Sequence, residues 1–149
     1  TLLQSGLDVV VVALYAHPWF FRDLRASIQR QIERTREFLK RNSETWFLAL
    51  SASDLLAGRT VGKRALVLSL EGAEGIVESP EDAAWLWREG VRIVAPFHLT
   101  DDRLGGCALL RFPGSLASVG TYASWFCPCY DAEGYRINPR GITPHGVRI

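Results

Sequence analysis

The chain has 149 residues, of which 48% are hydrophobic and 22% are charged, and its formal net charge is +1. This length and composition are typical of one ordinary soluble globular domain. The near-zero charge gives no electrostatic case for binding nucleic acid or an anionic membrane, and the longest apolar run, residues 9–15, is too short to span a bilayer.

The cysteine pattern indicates the compartment. Cys107, Cys127 and Cys129 are odd in number, which does not suggest a disulfide framework. The Cys-Pro-Cys sequence lacks the two-residue spacer of common zinc-binding pairs, so free thiols are the favoured interpretation. Together with the missing basic start and cleavage site of a signal peptide, this predicts a reducing, cytoplasmic location.

The first strand and helix patterns occupy residues 9–41. Residues 9–15 are apolar, mostly β-branched and without alternation, which predicts a strand buried on both faces. The run ends at His17, which either lines a site or forms structural hydrogen bonds, and the second alternative is favoured. Residues 19–41 carry apolar side chains every three to four positions, which predicts an amphipathic helix with a solvated charged face.

Two short elements are predicted next. Residues 46–50 form a brief apolar run, and residues 51–58 resemble a short helix that Ser51 caps and Gly58 stops.

The segment with the clearest strand pattern is residues 65–70, which are apolar but for one serine and lead directly into Glu71 and Gly72. Such a run predicts a strand covered on both faces, as in a parallel sheet. Because α/β enzymes collect their chemistry at the carboxyl ends of parallel strands, Glu71 is a candidate site residue. The alternative is a loop carboxylate that pairs with a nearby arginine.

Another helix and strand follow, and then the regular pattern ends. Residues 79–90 begin with Ser-Pro-Glu-Asp and end at a glycine, which predicts a capped helix. Residues 91–97 predict a strand that ends at His98. Residues 99–140 form one long loop, and residues 141–146 predict the start of a further helix.

Alternating strands and helices predict an α/β fold with a parallel sheet and right-handed crossovers. Three such strands do not close a barrel, which needs eight strands and about 250 residues. We therefore expect residues 1–149 to form one incomplete domain, an interior fragment of a larger protein.

Several motifs carry a resemblance to a known family. Residues 68–74, Leu-Ser-Leu-Glu-Gly-Ala-Glu, resemble the Glu-Gly motif of the membrane (renal-type) dipeptidase family of zinc peptidases. Residues 86–92 with Phe97-His98 are similar to its leucine-rich helix, Gly-Val-Arg, strand and histidine. Residues 141–146 are similar to its Gly-Leu-Thr-x-x-Gly motif, and residues 6–8 with the following strand fit its second barrel strand. The blocks keep the family's order and spacing over the middle stretch of a family member.

The resemblance implies part of a (β/α)8 TIM-type barrel of the amidohydrolase type, about strands 2 to 4, with two zinc ions in the complete protein. By resemblance, Glu71 is the carboxylate that bridges the metals, and His98 contacts the substrate near the reacting carbonyl. The family's His-x-Asp metal motif would lie before Thr1. Its later zinc-binding histidines and last-strand aspartate would lie beyond Ile149.

The chain also departs from the family's pattern after His98. Residues 99–102, Leu-Thr-Asp-Asp, stand where the family carries Asn and a tryptophan-bearing stretch. Asp101 and Asp102 either contact a substrate amine or form a solvated turn, and the turn is favoured. Glu74 is either a supporting group behind the site or a surface residue, and the surface is favoured.

The hypothesis is a zinc-dependent dipeptidase-like hydrolase in which hydroxide on the metal attacks a dipeptide amide bond, active only as the complete protein. The alternatives are a non-catalytic, barrel-derived binding or assembly module and an amidohydrolase with a non-peptide substrate. The 149 residues alone are expected to bind zinc weakly and to hydrolyse nothing. Formation of a homo-oligomer is left open.

Overall fold

The computed structural model describes residues 6–17, 20–98, 104–105 and 147. Its elements, in chain order, are β1 (Val9–Leu14), α1 (Leu24–Arg41), β2 (Trp46–Leu48), α2 (Ala52–Thr60), β3 (Arg64–Glu71), α3 (Pro80–Arg88) and β4 (Val91–Ala95). Strands and helices alternate, as predicted. No helix in these ranges is both long enough and apolar enough to cross a membrane.

The chain divides into two compact units. The first comprises Thr1–Leu70 and Trp85–Val94, and the second comprises Glu71–Ala84 and Ala95–Ile149. The first unit holds most of the sheet and α1, whereas the second holds the carboxyl ends of β3 and β4.

β3 is the central strand of a four-stranded sheet. It pairs in parallel with β1, from Val9 opposite Ala65 to Leu14 opposite Leu70. It also pairs in parallel with β2, and β4 pairs with β3 as well. The predicted α/β fold with parallel strands is therefore confirmed. Within the described part of the chain the sheet is open, so closure into a barrel stays a prediction.

The core of the sheet lies along β3. Leu66, Leu68 and Leu70 are almost completely buried on one face of the strand, and Ala65 and Ser69 are buried on the other. Alternate residues of a strand point to opposite faces, so β3 is covered on both faces. This confirms the prediction made from its largely apolar sequence.

β1 differs from its prediction. Leu14 is buried, but exposure alternates along the strand, and Val9 and Val11 are 44% and 53% exposed. The prediction of a strand buried on both faces was therefore wrong for β1. Apolar residues at every position remove the alternation that normally distinguishes a half-covered strand from a fully covered one.

α1 begins later than predicted because Asp23 caps it. The side chain of Asp23 accepts a hydrogen bond of 2.8 Å from the backbone N–H of Ala26, so the helix starts at Leu24 rather than near residue 19. Ile28 and Ile32 are completely buried, and the charged side chains of the other positions are mostly exposed. The amphipathic pattern is thereby confirmed.

α2 begins as predicted and ends later. Ser51 caps it by accepting a hydrogen bond of 3.2 Å from the N–H of Asp54. The N–H of Leu50 and the hydroxyl of Ser51 lower the pKa of Asp54 from its ordinary value. The prediction that Gly58 stops the helix was wrong: α2 continues to Thr60, and Gly58 is buried where a Cβ atom would overlap the ring of Phe47.

α3 has the caps that its sequence predicted. Ser79 and Asp82 exchange hydrogen bonds at the start of the helix, the hydroxyl of Ser79 donating to Asp82 Oδ2 over 2.9 Å. After the helix, Gly90 adopts a positive φ of 96°, a conformation that favours glycine. Arg92 then donates to the carbonyl of Leu50 and stacks 3.7 Å from the ring of Trp87.

Candidate active site

The candidate site is built on a backbone turn in the second unit. β3 ends at Glu71, and the N–H of Gly72 donates to the carbonyl of Ala95 over 3.2 Å. The N–H of Ala73 then donates to the carbonyl of Pro96 over 3.3 Å. These two hydrogen bonds hold the exit of β3 beside the exit of β4, so residues that are distant in sequence become neighbours.

Glu71 and His98 meet at this turn. The Nδ1 atom of His98 lies 3.5 Å from Oε1 of Glu71. The side chain of His98 is 33% exposed and that of Glu71 is 44% exposed. The pair is therefore partly buried and partly open to solvent. A carboxylate beside an imidazole can orient the ring and still present an oxygen atom to a cation or a water molecule.

Glu74 lies behind this pair. It is only 8% exposed, and its Oε1 accepts a hydrogen bond from the backbone N–H of His98. The expectation that Glu74 is a surface residue was wrong. The sequence signal was its place in Glu-Gly-Ala-Glu just before the apolar pair Ile76-Val77, both of which are also buried.

Gly72 is the position where a side chain would disturb this arrangement. Its φ is 89°, and a Cβ atom there would overlap the Glu74 carboxylate and lie 3.0 Å from Cβ of His98. Gly72 thus serves two purposes: it allows the positive φ, and it leaves space for the two side chains that pack against it.

We expect Gly72→Ala to destabilise the protein by about 1 kcal/mol more than Gly62→Ala, because overpacking adds to the cost of the positive φ. Gly62 is a matched control, since its φ is 71° and a Cβ atom there would meet nothing within 4 Å. Urea unfolding of both variants measures the difference. Equal losses of stability would show that the space beside Gly72 is not needed.

His17, the second candidate histidine from the sequence, lies in the first unit. Its ring packs 5.0 Å from that of Phe20 and edge-on to that of Tyr15. Its carbonyl accepts hydrogen bonds from the N–H groups of Phe20 and Phe21. These contacts are in keeping with a structural role for His17, the favoured one of its two alternatives.

Other predicted features lie outside the described residues. They are Asp101, Asp102, the three cysteines, almost all of the long loop and the motif at residues 141–146.

The donor set at the turn fits a metal only in part. The Glu71 carboxylate is an oxygen ligand of a kind that zinc accepts, and it is accessible. In the part of the chain that the structure describes, however, no three His, Cys, Asp or Glu side chains cluster as a metal-binding group. Glu71 could therefore supply one ligand, while a closed site needs ligands beyond these residues.

Comparisons with known proteins bear on the fold. A scan against protein-family models and a search of curated proteins find no match. A solved structure described as an amidohydrolase from Pseudomonas aeruginosa is similar, with a TM-score of 0.55 and 16% sequence identity. The chain shares its fold with part of that amidohydrolase.

The alignment covers 77% of this chain and 41% of the amidohydrolase, so the chain spans less than half of that protein's length. At this level the predicted α/β fold with parallel strands is confirmed. Membership of the membrane dipeptidase family, the zinc ions and the roles of Glu71 and His98 stay predictions.

Proposed function

We propose that the chain forms part of a zinc-dependent, dipeptidase-like hydrolase, with Glu71 and His98 in its active site. The observation that carries the proposal is the 3.5 Å approach of these two side chains where β3 and β4 end. This is the edge at which parallel α/β enzymes place their chemistry. The resemblance of the Glu-Gly segment to zinc dipeptidases and the amidohydrolase neighbour support the same assignment.

Each residue has a distinct role in this proposal. The Glu71 carboxylate would bind the metals, because a shared negative charge offsets the repulsion between two cations and helps to fix their separation. The His98 imidazole would donate a hydrogen bond to the substrate carbonyl as negative charge develops on its oxygen. When bound, zinc would supply a water molecule acidic enough to act as a nucleophile near neutral pH.

The remaining ligands belong outside the described residues in this proposal. Glu71 and His98 amount to one carboxylate and one imidazole, whereas a catalytic zinc ion takes about three protein ligands. The chain aligns with only 41% of the amidohydrolase neighbour, which agrees with a catalytic domain larger than these residues. Metal binding and turnover are therefore expected of the complete protein rather than of the 149 residues alone.

The decisive experiment compares the product of the whole reading frame with the 149-residue chain. We expect the complete protein to bind about two zinc ions and to hydrolyse dipeptides, with activity lost on chelation. The 149-residue chain should bind zinc weakly and release no product. Elemental analysis and a dipeptidase assay measure both properties, and robust turnover by the short chain would contradict the prediction.

The same assay separates the alternatives. A panel of dipeptides, lactones and non-peptide amides tests substrate class, which the fold does not determine. Preference for a lactone or a non-peptide amide would favour an amidohydrolase of another specificity. A complete protein that binds no zinc and hydrolyses none of these compounds would favour the binding or assembly module.

A further inference from the structure

The buried carboxylate of Glu74 contacts the backbone of His98, one member of the Glu71–His98 pair. It is almost inaccessible to solvent, and its Oε1 accepts a hydrogen bond from the backbone N–H of His98. A carboxylate that accepts a backbone N–H makes a charge-assisted hydrogen bond, which is stronger than a neutral one. Burying a carboxylate costs free energy, and hydrogen bonds to its oxygen atoms offset that cost.

The turn that contains Gly72 leaves space for that carboxylate. Gly72 lacks the Cβ atom that would overlap Oε2 of Glu74 and press against Cβ of His98. The same glycine is tied to Ala95, which precedes His98 on the other segment. Glu74 therefore joins the segment after β3 to the segment after β4 at the residue that contacts Glu71.

We propose that Glu74 is a positioning residue, whose carboxylate fixes the backbone of His98 so that the imidazole meets Glu71. The length of the Glu74 side chain is the essential property, because the oxygen atom must reach the backbone N–H of His98, 24 residues further along the chain. An amide oxygen at the same place also accepts a hydrogen bond, so a glutamine there keeps this contact with His98. The kinetic consequence rests on the proposed function, whereas the structural consequence does not.

Two conservative variants of the complete protein separate length from charge. Glu74→Gln keeps the length and one acceptor oxygen, whereas Glu74→Asp keeps the charge and withdraws the oxygen by one methylene group. Glu78→Gln and Glu78→Asp are matched controls at an exposed glutamate that follows in the same segment. Both Glu74 variants preserve a polar side chain of similar volume, so both are expected to fold.

The first measurement is the hydrogen exchange of the His98 backbone amide. In Glu74→Asp it is expected to exchange at least about tenfold faster than in the parent protein, because the N–H loses its acceptor. In Glu74→Gln the exchange stays within about threefold of the parent. Equal exchange in the parent protein and Glu74→Asp, or faster exchange in Glu74→Gln than in Glu74→Asp, would overturn the proposal.

The second measurement is steady-state kinetics. A displaced His98 lowers kcat by about 10-fold to 100-fold in Glu74→Asp with little change in KM, and Glu74→Gln restores most of the activity. Faster exchange with unchanged kcat would overturn the positioning role. If the complete protein hydrolyses nothing, the proposed function fails, while the exchange pattern still decides whether Glu74 holds His98.

Discussion

Glu71→Gln in the complete protein is expected to lower kcat/KM for dipeptides by about 1000-fold and to reduce the zinc content. Glutamine keeps the shape of the side chain at the end of β3 but removes its negative charge. A neutral amide cannot offset the repulsion between two metal ions, and its oxygen is a weaker ligand than a carboxylate oxygen. Steady-state kinetics and elemental analysis of the purified variant measure the two effects.

Glu78→Gln is the control for this prediction. It makes the same chemical change at an exposed glutamate in the second unit, and we expect it to leave activity and metal content unchanged. Retention of both properties in Glu71→Gln would show that Glu71 is a solvated carboxylate at a strand end. That outcome would remove the residue on which the proposed function depends.

Leu68→Ala is expected to destabilise the chain by about 2 to 5 kcal/mol, because it leaves a cavity in the covered core of β3. Leu68 is 1% exposed in the middle of the central strand. For a chain of this size, a loss of 3 kcal/mol corresponds to a fall in Tm of about 10 °C. Urea and thermal unfolding followed by circular dichroism measure the change.

Leu56→Ala is a matched control for the cavity. Leu56 lies in α2 and is 71% exposed, so the same truncation removes little buried area. We expect the free energy of unfolding to change by less than about 0.5 kcal/mol. Similar losses in Leu68→Ala and Leu56→Ala would mean that β3 is not the core of the sheet.

Much of the local structure follows from the sequence by short-range rules. Ser51 caps α2 as predicted, Ser79 exchanges hydrogen bonds with Asp82 at the start of α3, and Gly90 takes the positive φ expected after a helix. These features depend on residues within a few positions of one another. The rule that a glycine ends a helix failed at Gly58. Glycine at this position of α2 leaves space for the ring of Phe47, which lies in β2.

The candidate site was accessible to sequence reasoning only in part. The position of Glu71 after a largely apolar run indicated a strand end, and the motif resemblance connected it with His98. Their 3.5 Å contact depends on the pairing of Gly72 with Ala95, which joins distant segments. Glu74 was misplaced on the surface, because a charged residue in a short loop is usually solvated.

The sequence by itself determined the order of strands and helices, the buried character of β3 and the emergence of Glu71 from its end. These properties follow from apolar runs, helical spacing and capping residues, which act locally. Only the tertiary structure decided that one face of β1 is exposed and that Glu74 is buried behind His98. Burial of a given face, and the partner of a buried carboxylate, depend on which distant segments pack together, and that information is absent from any short stretch of residues.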